Sequence, residues 1–195
     1  IKKTIHDQKR IILNGNGYDD SWVAEAEKRG LLNLKTTPDA LPYLLKDKNV
    51  ALFTAHKVFS KEELEARYEV LMEKYCKTIN IEALTMLDMV HKDILPAMSK
   101  YSDSLAKAYT DKKAVCEDID CSYEKEYLKN LSSLMGATAV QVKRLEDDVL
   151  ASKDIEDFTE LGNFCKTNII ADMNALRISV DNMETIASAE EWPYP

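Results

Sequence analysis

The segment SKEELEARYEVLMEKYCKTINIEALTMLDMV, residues 60–90, indicates a long helix at the centre of the chain. It begins with Ser60 three residues before Glu63, the arrangement of a helix capping box. Apolar residues then recur at intervals of three, four or seven, namely Leu64, Tyr68, Leu71, Tyr75, Ile79, Met86 and Val90. This spacing predicts an amphipathic helix with one buried face.

The same helix is predicted to continue to Thr110, because no glycine interrupts it and Pro96 is its only proline. Such a helix would be about 75 Å long if straight, more than the width of a domain of this size. Proline removes a helix hydrogen bond and crowds the preceding turn, so we expect a kink near Asp93–Leu95. Residues 77–89 are apolar around more than half of the helix circumference, which predicts cover on more than one side.

A second long helix is predicted after the polar segment 111–122, with Asp120 or Ser122 as its cap. Its apolar residues alternate by four and three positions: Tyr127, Leu131, Leu134, Thr138, Val142, Leu145 and Val149. This seven-residue repeat is typical of a helix that packs against other helices along one seam.

A third long helix is predicted after a turn at 151–154, with Ser152 and Asp154 as candidate caps, and should end near Ala189. It carries the same repeat in Phe158, Cys165, Ile169, Met173, Leu176, Val180, Met183 and Ala187. Two helices of this length joined by a short turn must run antiparallel. The predicted fold is therefore all-α, an antiparallel bundle of three long helices.

Residues 1–59 predict several short helices and turns, with no clear strand, packed at one end of the bundle. Alone they would form only a thin core. We therefore divide the chain into a short-helix segment, 1–59, and a long-helix bundle, 60–195, with the helix 60–110 shared between them.

Composition and charge exclude several classes of protein. The 195 residues carry a net charge of −8, with a net of +3 on residues 1–60 and of −11 on residues 61–195. An acidic bundle is a poor candidate for binding nucleic acid, because phosphate binding needs clustered Lys and Arg. No apolar run approaches the length of a membrane span and no signal peptide is recognisable, so we expect a cytoplasmic protein. The chain has no initiator Met, as expected of an excised piece of a longer protein.

The side chains that usually bind metals or perform catalysis are scattered. The four cysteines, Cys76, Cys116, Cys121 and Cys165, form no C-x-x-C pair, so plain thiols are favoured over a metal site or a disulfide. The three histidines, His6, His56 and His91, occur in no metal-binding motif. Adjacent acidic pairs point about 100° apart on a helix and cannot form an acid/base dyad.

Glu82 is the one acid that lies within the broadly apolar stretch, and we expect it to pair with a Lys, an Arg or a backbone donor. No Ser or Cys nucleophile comes with a base and an orienting acid. The residues themselves therefore predict no catalytic group, no bound cofactor and no metal ligand in this chain.

The loop Asn14–Tyr18 contains two successive Asn-Gly steps, which predict tight turns. It runs into a predicted helix at 22–29, and such a junction can hold an anion. The loop lacks the glycine patterns of nucleotide-binding motifs, so a structural loop is favoured. Asn14, Asn16 and Tyr18 are weak candidates for a loop near a ligand.

Four segments resemble a known family. They are RIILNGNGY at 10–18, WVAEAEKRGLLNLKTTPDALP at 22–42, KTINIEALTM at 77–86 and EWPYP at 191–195. In this order they are similar to the C-terminal part of type III glutamine synthetases, the long-chain bacterial form. The resemblance covers essentially the whole chain, and the segments at 10–18 and 77–86 are its most specific parts.

The resemblance implies a ligase that uses ATP and Mg to join ammonia to glutamate through a γ-glutamyl phosphate, with subunits in double-ring oligomers. The family's catalytic, nucleotide-binding and metal-binding residues lie upstream of this segment. Residues 37–87 resemble the end of the catalytic domain of shorter glutamine synthetases, which makes 88–195 the type III addition.

The leading hypothesis is a C-terminal helical fragment that is not catalytic by itself and that packs against an upstream catalytic domain and other subunits. The alternative is a free-standing helical module that binds a partner protein through an exposed apolar face. A small helical enzyme or metal-binding bundle is disfavoured, because paired E-x-x-H motifs are absent.

Overall fold

The computed structural model describes residues 1–195 and contains helices without strands. The α-helices, in chain order, are α1 (Lys2–Asp7), α2 (Asp20–Lys28), α3 (Thr37–Ala40), α4 (Asp47–Ala55), α5 (Lys61–Met89), α6 (Leu95–Val115), α7 (Ser122–Ala151), α8 (Phe158–Phe164) and α9 (Ile170–Glu184). Short 3₁₀ turns occur at Lys9–Ile11, Leu41–Leu45 and Ser152–Asp154. The all-α prediction is confirmed. None of these helices combines the length and the apolar character that a membrane crossing requires.

Two of the three long helices contain a π-helical turn. Val90–Ile94 joins α5 to α6, and Cys165–Ile169 joins α8 to α9. We call α5 with α6 the first long helix, α7 the second, and α8 with α9 the third. The disturbance expected at Pro96 thus takes the form of a π turn directly before it, where the wider ring of backbone atoms makes room for the proline.

The three long helices run up, down and up. The ring of Tyr101 on α6 meets that of Tyr127 near the start of α7, and His91 bonds to Glu146 near its end, so these helices are antiparallel. The Tyr68 hydroxyl lies 2.7 Å from that of Thr159, so the first and third helices enter the bundle at the same end. The predicted antiparallel three-helix arrangement is confirmed.

The first long helix begins where the sequence predicts. The Glu63 N–H donates to Ser60 Oγ at 3.2 Å, and the Ser60 N–H donates to Glu63 Oε2 at 2.7 Å, which completes the capping box. The expected burial of Leu71 is wrong, because Leu71 is 44% exposed and Met72 occupies the core. Leu64, Tyr68 and Met72 are four residues apart and lie on one face of a helix with 3.6 residues per turn. Leu71, three residues after Tyr68, lies outside this buried face.

The other helix ends differ in detail from prediction. The first long helix extends to Val115 rather than Thr110. The third is capped by Asp157, whose Oδ1 accepts the Glu160 N–H at 2.8 Å, because residues 152–154 continue from α7 as a 3₁₀ turn. It also ends at Glu184, earlier than expected, and the chain then forms turns.

The short helices α3 and α4 pack at the end of the bundle where the first and third long helices begin. Pro38 is buried there, and Leu41 packs against the main core. Lys166 on the third helix donates to Asp39 Oδ1 at 2.6 Å, and this bond, with a second from Thr36, lowers the pKa of the Asp39 carboxyl. By contrast, α1 and α2 contain no buried residue.

A glycine sets the distance between the first and third helices. A Cβ atom on Gly162 would lie 2.6 Å from Met72 Sδ and 3.5 Å from Pro38 Cγ, so only glycine permits this approach. Met72 is itself fully buried and has little freedom to move away. Gly136, on α7, has no atom within 4 Å of the corresponding position.

These two glycines form a matched pair for a stability test. We expect Gly162→Ala to destabilise the chain by about 1–2 kcal/mol, since overpacking outweighs the gain in helix propensity. Gly136→Ala should stabilise it by about 1 kcal/mol, because only the propensity term acts there. Urea unfolding followed by circular dichroism measures both. Equal effects of the two substitutions would contradict the close approach at Gly162.

Candidate functional site

A groove of about 530 Å³ lies between α5, α9 and the C-terminal tail, residues 185–195. Ten of its fifteen lining residues are hydrophobic. We define the groove by these fifteen residues: Ile81, Glu82, Thr85, Met86, Met89, Val90, Ile94, Met173, Leu176, Arg177, Val180, Asp181, Glu184, Trp192 and Tyr194. Its size and apolar lining fall within the range of protein ligand and docking sites.

The groove is positioned by the first π turn and by the tail. Val90 and Ile94 belong to the π turn, a type of irregularity that is frequent at functional sites. The Tyr194 hydroxyl donates to Asp93 Oδ2 at 2.6 Å, and this bond raises the pKa of Tyr194. Through this bond the tail holds Trp192 and Tyr194 at one end of the groove.

Two unpaired carboxylates stand on opposite sides of the groove, Glu82 on α5 and Glu184 on α9. Neither forms an ion pair or a side-chain hydrogen bond, whereas Asp181 accepts two hydrogen bonds from Arg177 Nε at 2.9 and 3.1 Å. The prediction that Glu82 would be paired is wrong, because its side chain is exposed on the rim. The prediction that the broadly apolar segment is covered on several sides is also wrong in this chain, where Ile81 is 63% exposed.

The loop with the predicted candidates Asn14, Asn16 and Tyr18 lies far from the groove in sequence and shares no lining residue with it. Asn16 Oδ1 accepts the Tyr18 N–H at 3.1 Å, a local turn bond, and Tyr18 is fully exposed. A separate cavity of about 230 Å³ borders the loop through Gly15 and Asn16. A ligand role for the three residues stays a prediction.

This loop does not suit the phosphates of a nucleotide. The Asp19 carboxylate already accepts the Ser21 N–H at 2.8 Å at the N-terminus of α2, and this bond lowers the pKa of Asp19. Glu25 lines the same cavity, and the nearby Arg29 is engaged with Glu25 and with backbone carbonyls. A phosphate would therefore meet carboxylates where it needs free hydrogen-bond donors. This loop does not fit the phosphates of MgATP.

The histidines stay apart, and the structure brings no three His, Cys, Asp or Glu side chains together as a metal-binding group. The four cysteines are free thiols. Cys76 on α5 and Cys165 in the second π turn are buried beside each other in the core, a proximity that the sequence did not reveal. Burial raises the pKa of Cys165 to about 12, so this thiol is protonated and unreactive at neutral pH.

A buried carboxyl group lies where α7 meets α9. Asp172 is 1% exposed; its Oδ1 forms an ion pair with Arg144, whose Nε lies 2.8 Å away, and its Oδ2 has no hydrogen-bond partner. Burial raises the pKa of Asp172, and the neighbouring Asp148 carboxyl raises it further, whereas the Arg144 guanidinium lowers it. The folded chain therefore holds this proton more tightly than the unfolded chain.

This raised pKa predicts an unusual pH dependence. The stabilising contribution of Asp172 is greatest at low pH and is lost as pH rises from the ordinary carboxyl pKa of about 4 through the higher folded value. We expect Asp172→Asn, which cannot ionise, to gain stability relative to the unsubstituted chain as pH increases from 4 to 7. Thermal unfolding at both pH values measures the difference.

Asp147→Asn is the control, because Asp147 is exposed and pairs with Lys143 on the same helix. An Asp172→Asn variant whose stability relative to the unsubstituted chain is the same at pH 4 and pH 7 would contradict the raised pKa.

Comparison with known proteins identifies the family of this chain. A family model described as the glutamine synthetase C-terminal domain matches residues 1–113. The chain belongs to the glutamine synthetase family. The match ends close to the C-terminus of α6, so it includes the short helices and nearly the whole first long helix.

Three relatives match the chain over its whole length. A glutamine synthetase of Butyrivibrio fibrisolvens is 37% identical, and the chain covers 28% of that protein. A type-3 glutamine synthetase of Dictyostelium discoideum is 31% identical, with 27% of its length covered. A glutamine synthetase of Bacteroides fragilis (strain YCH46) is 26% identical, also with 27% covered.

The chain thus corresponds to the C-terminal region of much longer synthetases, type-3 enzymes included. The resemblance stated from the sequence segments is confirmed.

Proposed function

We propose that this chain is the C-terminal helical part of a type-3 glutamine synthetase subunit and that it contributes packing rather than chemistry. The observation that carries the proposal is the match of the whole chain to little more than a quarter of each relative. The intact protein would join ammonia to glutamate at the expense of ATP. Its ATP, Mg and catalytic residues would belong to the upstream part.

The surface of the short-helix segment supports a role in packing against that upstream part. Leu32, Leu52 and Val58 are each more than half exposed. Exposed apolar residues of this kind commonly mark a contact surface. We infer that the upstream catalytic domain of the same subunit covers them.

The first long helix would then join two bodies. Its N-terminal part packs against α3, α4 and α8, and its C-terminal part packs against α7. A rigid helix shared in this way fixes how the end of the catalytic domain and the bundle are oriented. We propose that residues 1–59 and residues 60–195 are the two bodies, and that the helix at 60–110 is shared between them.

The test is an assay of the purified 195-residue chain for ATP-dependent glutamine formation and for γ-glutamyl transfer. We expect no activity above a buffer blank, because the chain corresponds to little more than a quarter of each relative. The full-length synthetase that contains the chain is the positive control. Turnover by the chain alone would overturn the proposal.

A further inference from the structure

We propose that Cys76 and Cys165 form a binding site for one Cu(I) ion inside the bundle. The two residues lie where α5 of the first long helix meets the π turn of the third. Two observations support this site: the thiols are buried beside each other, and a cavity reaches both of them. Both thiols are held by helices of the bundle, so the pair needs no part of the protein outside this chain. A metal site goes beyond the proposed packing role.

The two thiols are neighbours in the core. Cys76 is 5% exposed and Cys165 is 1% exposed, and both belong to the same cluster of buried residues. Burial raises the pKa of each thiol. In addition, Cys76 raises the pKa of Cys165, and Cys165 lowers the pKa of Cys76. Mutual effects of this kind require two thiols that interact directly.

A cavity of about 230 Å³ is lined by both thiols. Its other walls are formed by residues of α5, of the Ser152–Asp154 turn and of α8. The cavity is several times larger than the roughly 30 Å³ that one water molecule occupies in the liquid. A metal ion therefore has a path to the two sulfur atoms, and such a path is one requirement of a metal site.

A pair of thiols suits a soft metal ion with few ligands. Thiolate and thioether sulfur select Cu(I), whereas a structural Zn²⁺ takes four ligands in a tetrahedron. No three His, Cys, Asp or Glu side chains come together in the chain, so the pair lacks the further ligands that Zn²⁺ requires. Met72, one turn before Cys76 on α5, places its Sδ against Gly162. A third soft sulfur atom thus lies in the same contact between helices.

Binding exchanges two protons for the metal ion. The empty thiols are protonated, and Cu(I) displaces the proton from each sulfur. Two Cu–S bonds form, both protons pass to the buffer, and neither copper nor sulfur changes its oxidation state. The bound group carries one negative charge. Lys153 lines the cavity and forms no ion pair, whereas Lys77 pairs with Glu73 at 2.7 Å, so Lys153 is the cation available to offset this charge.

The test uses the 195-residue chain with the other two cysteines replaced, Cys116→Ser/Cys121→Ala. This background variant is titrated anaerobically with Cu(I) against a chromophoric Cu(I) chelator. We expect one Cu(I) per chain and two protons released per ion. The melting temperature should rise by about 5–10 °C when free Cu(I) exceeds its dissociation constant about 100-fold, because the ion binds the folded chain.

Removal of either thiol tests the pair itself. In the same background, Cys76→Ala and Cys165→Ala should each weaken Cu(I) binding at least tenfold, since only one thiol remains. Val142→Ala is the control, because Val142 is buried in the same core but does not line the cavity. Circular dichroism confirms that each variant is folded.

Cu(I) binding that is undiminished in Cys76→Ala and Cys165→Ala would overturn the site. So would a background variant that binds no Cu(I), or one whose melting temperature falls when it binds. If the thiol variants do not fold, the stoichiometry, the proton count and the melting temperature of the background variant decide the question. The glutamine assay tests the proposed function separately, so either proposal can fail without the other.

Discussion

The uninterrupted first long helix is the constraint on which the rest of the fold depends. It begins at the Ser60 capping box and passes Pro96 without ending, because the π turn at Val90–Ile94 absorbs the proline. The short helices α3 and α4 rest on its first half, and α7 runs back along its second half. A break at Pro96 would leave these two sets of contacts on separate pieces.

Packing between the helices explains why the bundle is tightly packed at one end and has an open groove at the other. Near α3 the missing side chain of Gly162 lets the first and third helices approach closely around Met72. Towards the C-terminal end of α5 the space between the same two helices is not filled in this way, and it becomes the groove that Trp192 and Tyr194 border. One helix pair thus supplies both a tight core and an open apolar surface.

Much of the fold could be predicted from the sequence, because the signals are local. The capping box at Ser60 and the four-three repeat of α7 each depend on residues within one or two turns. The buried repeat of α7 is confirmed at Leu131, Val142 and Leu145. Local signals predict Leu71 as the buried residue, whereas the structure buries Met72. They cannot decide between neighbouring apolar residues, because that choice depends on the partner helix.

The candidate site could not be predicted, because it depends on contacts between distant parts of the chain. The groove needs Tyr194 to reach Asp93, and burial of Asp172 needs the register of α7 against α9. The second π turn contains no proline, and nothing in its composition marks it. The sequence places Glu82 within an apolar stretch, but its exposure on the rim of the groove follows from the way α9 and the tail flank α5.

The continuity of the first long helix can be measured directly by the distance between two spin labels. Glu69→Cys and Lys107→Cys place labels at exposed positions on α5 and α6, in a Cys116→Ser background that removes the one exposed native thiol. A continuous helix predicts one narrow distance distribution near 57 Å at the helical rise. A broad distribution centred below about 45 Å would show a hinge at Pro96 and would contradict a rigid join.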